Sequence, residues 1–191
     1  MSRKIILAST SPRRRELLES TGVVFEVEAG NYEEDMTLPL PPRDLAMFLS
    51  RGKAESVAAS HPDAIIIAAD TFIAHEGAVL GKPHTEDRAR EMLRMLSGKA
   101  HTVVTGFTII DTSDGKTVSD AIESTVYFKV LQDQEIDEYI ATGEPLERAG
   151  AYAIQGIGKK FIEKYEGDYA SIIGLPVGAV VAVLKEWGVT S

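Results

Sequence analysis

Three arginines crowd the start of one predicted helix. In Leu7–Leu18, "LASTSPRRRELL", a short strand runs into Ser11, a residue suited to the N-cap, and Pro12, suited to the first helical position. Arg13, Arg14 and Arg15 then fill the first turn, where the helix macrodipole is already positive. Arg15 has a helical partner four residues on, Glu19. Arg13 and Arg14 are not explained that way. A bound anion reverses the argument: backbone N–H groups of the Ser11–Arg14 turn, together with the guanidinium forks, make a cradle for a phosphate. The alternative is a solvated basic face.

Six other residues could join such a site. Lys53 lies on the apolar stripe of its predicted helix, with Ala46, Leu49 and Val57, at the i+4 spacing. It is either a lysine snorkelling from the stripe edge or one pointing into a cleft toward an anion. Asp70 closes the apolar run "AIIIAAD", and open α/β sheets hold ligands beyond the carboxyl ends of their strands. Glu33 and Glu34 follow an earlier strand in the same way, and two such carboxylates could share a Mg²⁺. The plain alternatives are a strand-end Asp capping a turn and acidic loop residues kept for solubility. Lys82 sits in the turn "LGKPH", and Gln155 in the loop "AIQGIG", where its amide offers a donor and an acceptor suited to a base edge. A turn lysine and a loop amide bonded to backbone are the ordinary readings. Together, these cations and two carboxylate positions at strand ends suit a metal-bound polyphosphate.

Other chemistries are excluded. "GIGKK" is not a P-loop, since Lys160 replaces the Ser/Thr and Ala153 stands at the first Gly. There is no G-x-G-x-x-G, no G-x-S-x-G elbow, and the four histidines lack metalloprotease spacing. No cysteine is present, so disulfides, thiol nucleophiles and Cys-ligated zinc are ruled out. The net charge of -9 argues against broad nucleic-acid or membrane binding, so an anionic ligand must be held by a local basic cluster. The N-terminus has too short an apolar run for a signal peptide and no stretch approaches a membrane span, which with the absence of cysteine fits the cytoplasm.

The elements that must position these residues alternate. Strands are read at "KIILA", "FEVEA" and "AIIIAAD", the last ending at Asp70. Helices are read from Pro12 toward Gly22, through "RDLAMFLSRGKAESVAAS", at "TEDRAREMLRMLSG" with Thr85 as cap, at "DQEIDEYIATG", and at "PVGAVVAVLKEWG". "FIAHEGAVLG" reads as a hairpin, "HTVVTGFTIID" and "TVSDAIESTVYFKV" as a long one around Asp114-Gly115, and "KKFIEKYEG" as a further strand. With no repeat or composition shift, the expectation is one α/β domain over residues 1–191, with a mixed β-sheet flanked by helices.

The chain resembles the Maf family of nucleotide pyrophosphatases, nearly end to end. The resemblance rests on "LASTSPRRRELL", "RGKAESV", "IIAADT", "LGKP", "MLRMLSGKAHTVVTG", "TGEPLERAGAYAIQGIG" and "EGDYASIIGLP", in that order. It implies an elongated two-lobed fold similar to inosine triphosphate pyrophosphatases, with the site in a central cleft. It implies metal-dependent cleavage (Mg²⁺ or Mn²⁺) of a nucleoside triphosphate to the monophosphate and pyrophosphate, as house-cleaning of nucleotide pools. Asp70 matches the family's proton acceptor, Glu34 a metal-associated carboxylate, and Arg13, Lys53 and Lys82 residues that bind phosphate or base. Arg13, Thr71 and Gln155 stand where branches of the family contact the base, and their combination is similar to the dTTP/UTP branch. The 7-methyl-GTP branch tends to carry other residues at those places. The resemblance also implies a homodimer, and the old family name a division-protein partner. One departure is "LERAG", where Arg148 replaces the Lys of many members.

Overall fold

Buried strands alternate with helices that cover their two faces. The computed structural model describes residues 3–190. In chain order it contains β1 (Ile5–Ala8), α1 (Pro12–Glu19), β2 (Glu26–Glu28), α2 (Pro42–Ala58), β3 (Ile65–His75), β4 (Ala78–Leu80) and α3 (Glu86–Leu96). There follow β5 (Ala100–Asp111), β6 (Thr117–Phe128), α4 (Asp133–Ile140), β7 (Ile162–Glu166), α5 (Tyr169–Ile173) and α6 (Val177–Glu186). Short 3-10 turns occupy Glu144–Glu147, Ala149–Ala151 and Ile157–Phe161. The sheet has seven strands in the order β2-β1-β3-β5-β6-β7, with β4 also paired to β3. It is mixed, as the sequence predicts: β1 is parallel to β2 and β3, while β3–β4 and β6–β7 are antiparallel.

The chain forms two compact units. The first takes in the chain up to Asp70, Thr105–Ile122 and the segment from Gly174 onward; the second is Thr71–Val104 with Glu123–Ile173. In the first unit, strand parity sorts the core. Ile5, Leu7, Ile65, Ile67 and Ala69 pack with Leu18 of α1 and with Val180 and Leu184 of α6. Ile6, Ala8, Ile66 and Ala68 turn the other way and pack with Ala54 and Val57 of α2. Asp70 shares the parity of Ile66 and Ala68, so the same alternation aims it at the α2 side. α2 is seated closely on β5: a Cβ at Gly106 would stand 2.1 Å from the Ala46 carbonyl oxygen. Ser50 Oγ and Thr108 Oγ1, 2.9 Å apart, pair in the same contact.

The second unit is built around rings. Tyr139 and Phe161 meet edge to face at 5.0 Å, and Phe128 packs on Tyr152 at 4.7 Å. Thr85 caps α3 as expected, accepting from the Arg88 N–H at 3.3 Å.

Three local expectations are corrected. β3 does not end at Asp70 but runs to His75, because the residues beyond Asp70 find a new partner in β4, Ile73 opposite Leu80 and His75 opposite Ala78. Ser11 has the extended dihedrals of an N-cap but makes no side-chain cap bond; its own N–H donates to Ser9 Oγ at 3.2 Å. The strand expected through 159–167 starts only at Ile162, since Ile157–Phe161 coils as a 3-10 turn.

Candidate active site

Lys53 is where the site can be built from the sequence upward. The stripe residues Ala46, Leu49 and Val57 are buried, which leaves Lys53 one helical turn from each neighbour at the stripe's edge. Its stem follows the stripe and its ammonium emerges between two carboxylates. Lys53 Nζ is ion-paired to Asp70 Oδ1 and, at 2.8 Å, to Glu34 Oε1. The Asp70 side chain is only 6% exposed and that of Glu34 44%, so a buried and a half-exposed carboxylate share one cation. Lys53 is thus mostly buried at the stripe's edge, with its charge at the two acids.

Arg14 completes the electrostatics of this unit. Its Nε donates to the Gly174 carbonyl at 2.8 Å, and its Nη1 lies 3.5 Å from Ser9 Oγ. Burial draws its guanidinium below the ordinary arginine range, while the charges of Asp70 and Glu34 pull the other way. The cation at the helix start is thus balanced by carboxylates from β3 and from the segment after β2. Arg15 behaves as its spacing predicts, bonding Glu19 at 2.7 Å. Arg13 is half-buried in the first turn of α1, beside Arg14.

Thr71, Lys82 and Gln155 belong to the second unit. Thr71 follows Asp70 directly on β3. Lys82 is exposed and paired with Glu147 at 2.9 Å. Gln155 is exposed at the tip of a turn, closed by the Gly156 N–H on the Ala153 carbonyl at 3.4 Å.

The donor set can be tested against a divalent metal. Among the described residues no three His, Cys, Asp or Glu side chains come together to cage one. Two carboxylates already hold one cation between them, however. Magnesium is commonly held by one or two carboxylates, with substrate phosphates and water filling the other positions. Glu34 and Asp70 fit that pattern.

A family model described as Maf-like protein matches residues 4–187. The chain belongs to the Maf family. Curated relatives include a dTTP/UTP pyrophosphatase of Bacillus cereus (strain B4264), 46% identical over 98% of this chain and 97% of that one. Another, from Bacillus thuringiensis subsp. konkukian (strain 97-27), carries the same name at the same identity and the same coverage. Among solved structures, the Ham1 protein of Staphylococcus aureus aligns with a TM-score of 0.53 at 11% identity, covering 96% of this chain and 99% of that one. This likeness bears on the fold, and it agrees with the expected resemblance to inosine triphosphate pyrophosphatases.

In this Maf chain the sequence reading missed two residues of the first unit, Ser9 and Tyr32. Ser9, 8% exposed at the end of β1, faces both Arg14 and the Ser11 N–H. Tyr32 lies against α2, where a Cβ at Gly52 would stand 2.2 Å from its ring. Burial raises the Tyr32 hydroxyl above its ordinary range, and the charges of Asp70 and Glu34 add to it. The available signal was Gly52 itself, a helix-weakening residue in mid-helix immediately before Lys53.

Proposed function

We propose that this chain hydrolyses dTTP and UTP to the monophosphate and pyrophosphate, as a metal-dependent enzyme of the cytoplasm. The observation that carries the reading is the Lys53 ammonium held jointly by Asp70 and Glu34. The shared name of the relatives supports the substrate. Among the described residues no helix is long and apolar enough to cross a membrane.

The roles follow from charge and burial. Mg²⁺ or Mn²⁺ on Glu34 and Asp70 would neutralise charge on the phosphate oxygens. Asp70, a buried carboxylate, takes or orients the proton of the water that attacks the α-phosphorus. The bond to the bridging oxygen breaks and pyrophosphate leaves with the electron pair. Lys53, Arg13 and Lys82 stabilise that leaving charge, with Arg14 and the Ser11 turn adding positive potential. Lys82 must exchange Glu147 for phosphate, which costs little because that pair is exposed. Thr71 and Gln155 meet the base.

The test is pyrophosphate release with Mg²⁺ or Mn²⁺ across dTTP, UTP, CTP, GTP and 7-methyl-GTP. Preferred turnover of dTTP and UTP is expected. Turnover of 7-methyl-GTP alone would overturn the roles given to Arg13, Thr71 and Gln155. Within the same panel, Gln155→Glu replaces an amide donor with an anion. Its kcat/KM for dTTP and UTP should fall about ten- to a hundredfold more than for the other triphosphates, the size of one unmatched polar contact. Equal losses on all substrates would reject base reading by Gln155.

A further inference from the structure

The turn that carries Gln155 is braced by one carboxylate, itself bonded to one phenol. Glu144 accepts three hydrogen bonds: from Tyr139 Oη at 2.7 Å, from the Ile157 N–H at 3.0 Å and from the Gly158 N–H at 3.1 Å. Tyr139, which donates the first of these, is fully buried. The Ile157 and Gly158 N–H groups lie two and three residues after Gln155. The Tyr139 phenol and the Glu144 carboxylate therefore hold the limb of the turn that follows Gln155.

The packing leaves no slack in this arrangement. A Cβ at Gly156 would stand 2.3 Å from a Glu144 oxygen, and one at Gly158 would stand 2.6 Å from Tyr139 Oη. The two glycines exist so that backbone can close on the brace. Burial works against the Glu144 charge, yet the three donors and Arg148 hold its carboxyl below the usual range. Just before the held limb Gln155 is exposed, while Tyr152, Ala153 and Ile154 ahead of it are buried. A glutamate in an exposed 3-10 turn would ordinarily serve solubility; this one is committed to two loop N–H groups and a buried phenol.

We propose that Glu144, acting with Tyr139, is a positioning residue for base discrimination: it fixes the Gln155 turn so that the amide meets a pyrimidine at a set distance. This rests on the reading of Gln155 as the base-contacting residue. The proposal gives neither Glu144 nor Tyr139 a part in phosphate chemistry, so the chemical step should be spared.

Three variants test this, Glu144→Gln, Tyr139→Phe and Gln155→Ala, with amide hydrogen exchange as a readout independent of activity. Glu144→Gln offers one acceptor oxygen where two are used, and Tyr139→Phe removes the link with little change of volume. In both, exchange at Gln155–Gly158 should speed up while exchange in α3 and β5 holds. KM for dTTP and UTP should rise about tenfold and kcat should stay within about twofold, as for a misplaced binding group. In the Gln155→Ala background, Glu144→Gln should cause no further loss of discrimination. Unchanged exchange at the turn in both variants would overturn the brace. Faster exchange with unchanged discrimination, in a protein whose Gln155→Ala form has lost it, would overturn the specificity role. If Gln155→Ala keeps full discrimination, the base reading itself falls, and the role given to Glu144 falls with it.

Discussion

Asp70→Asn should abolish practical turnover while leaving the protein folded. Asn matches Asp in size, so the packing of β3 against α2 is kept. The charge and the basic oxygen are lost. Positioned proton transfer contributes about 10²- to 10⁴-fold to rate, and kcat for pyrophosphate release should fall by that order. The worry with any buried ion pair is that removing one partner orphans the other, at a cost of about 3–5 kcal/mol. Here Lys53 retains Glu34 at 2.8 Å, so its ammonium stays paired in the variant. The melting temperature should accordingly move by only a few degrees. Steady-state release assays and thermal unfolding on the same preparation separate the two effects. Near-normal activity would remove Asp70 from the mechanism.

Lys53 and Asp70 were each singled out in the sequence by a local pattern, but their meeting also needs α2 packed on that face of the sheet. Alternation along "AIIIAAD" gives Asp70 the parity of Ile66 and Ala68, and the helical stripe through Ala46, Leu49 and Val57 sets Lys53 on the face that covers them. The Arg15–Glu19 pair was legible for the same reason, being fixed by i+4 spacing alone. The end of β3 was not. Whether a strand stops at an acid depends on the strand that pairs with the next residues, here β4, and pairing is not a local property. Arg14 illustrates the same limit. Its place at a positive helix end raised the right question, but part of the answer lies 160 residues away in the Gly174 carbonyl. Glu144 was hidden because its partners are loop N–H groups and a buried phenol, and nothing in "TGEPLE" distinguishes a carboxylate that braces backbone from one that faces water.

The same non-local packing gives the protein a point of acid weakness in the second unit. His101 is 3% exposed; its Nε2 lies 2.8 Å from Tyr152 Oη, and its ring meets Phe128 edge to face at 4.9 Å. Its Nδ1 is buried with no hydrogen-bond partner among the described residues. A protonated imidazole would have to place a second donor there, in apolar surroundings and facing the buried His75. Burial, with His75 adding to it, pushes the His101 pKa down to about 3 from an ordinary 6.5. The folded state therefore holds the neutral ring, while the unfolded chain binds a proton below about pH 6.5. The stability linked to His101 is complete above that pH and is lost as pH falls through the window toward 3. The slope within the window is about 1.4 kcal/mol per pH unit for one proton. Over the window this amounts to several kcal/mol, a large share of a domain's usual total of about 5–15 kcal/mol. Asp111, whose carboxyl is held well below its usual range by Arg3, loses stabilisation only at lower pH, below about 4. Urea unfolding between pH 7.5 and 4.5 reads the histidine range, and His101→Phe isolates the group. The variant forfeits the Tyr152 bond and starts less stable, but its stability should decline less steeply, by about 1.4 kcal/mol per pH unit below pH 6. Equal slopes in the two proteins would mean that His101 takes up its proton in the folded state as readily as in the unfolded one, and the acid weakness would then lie elsewhere.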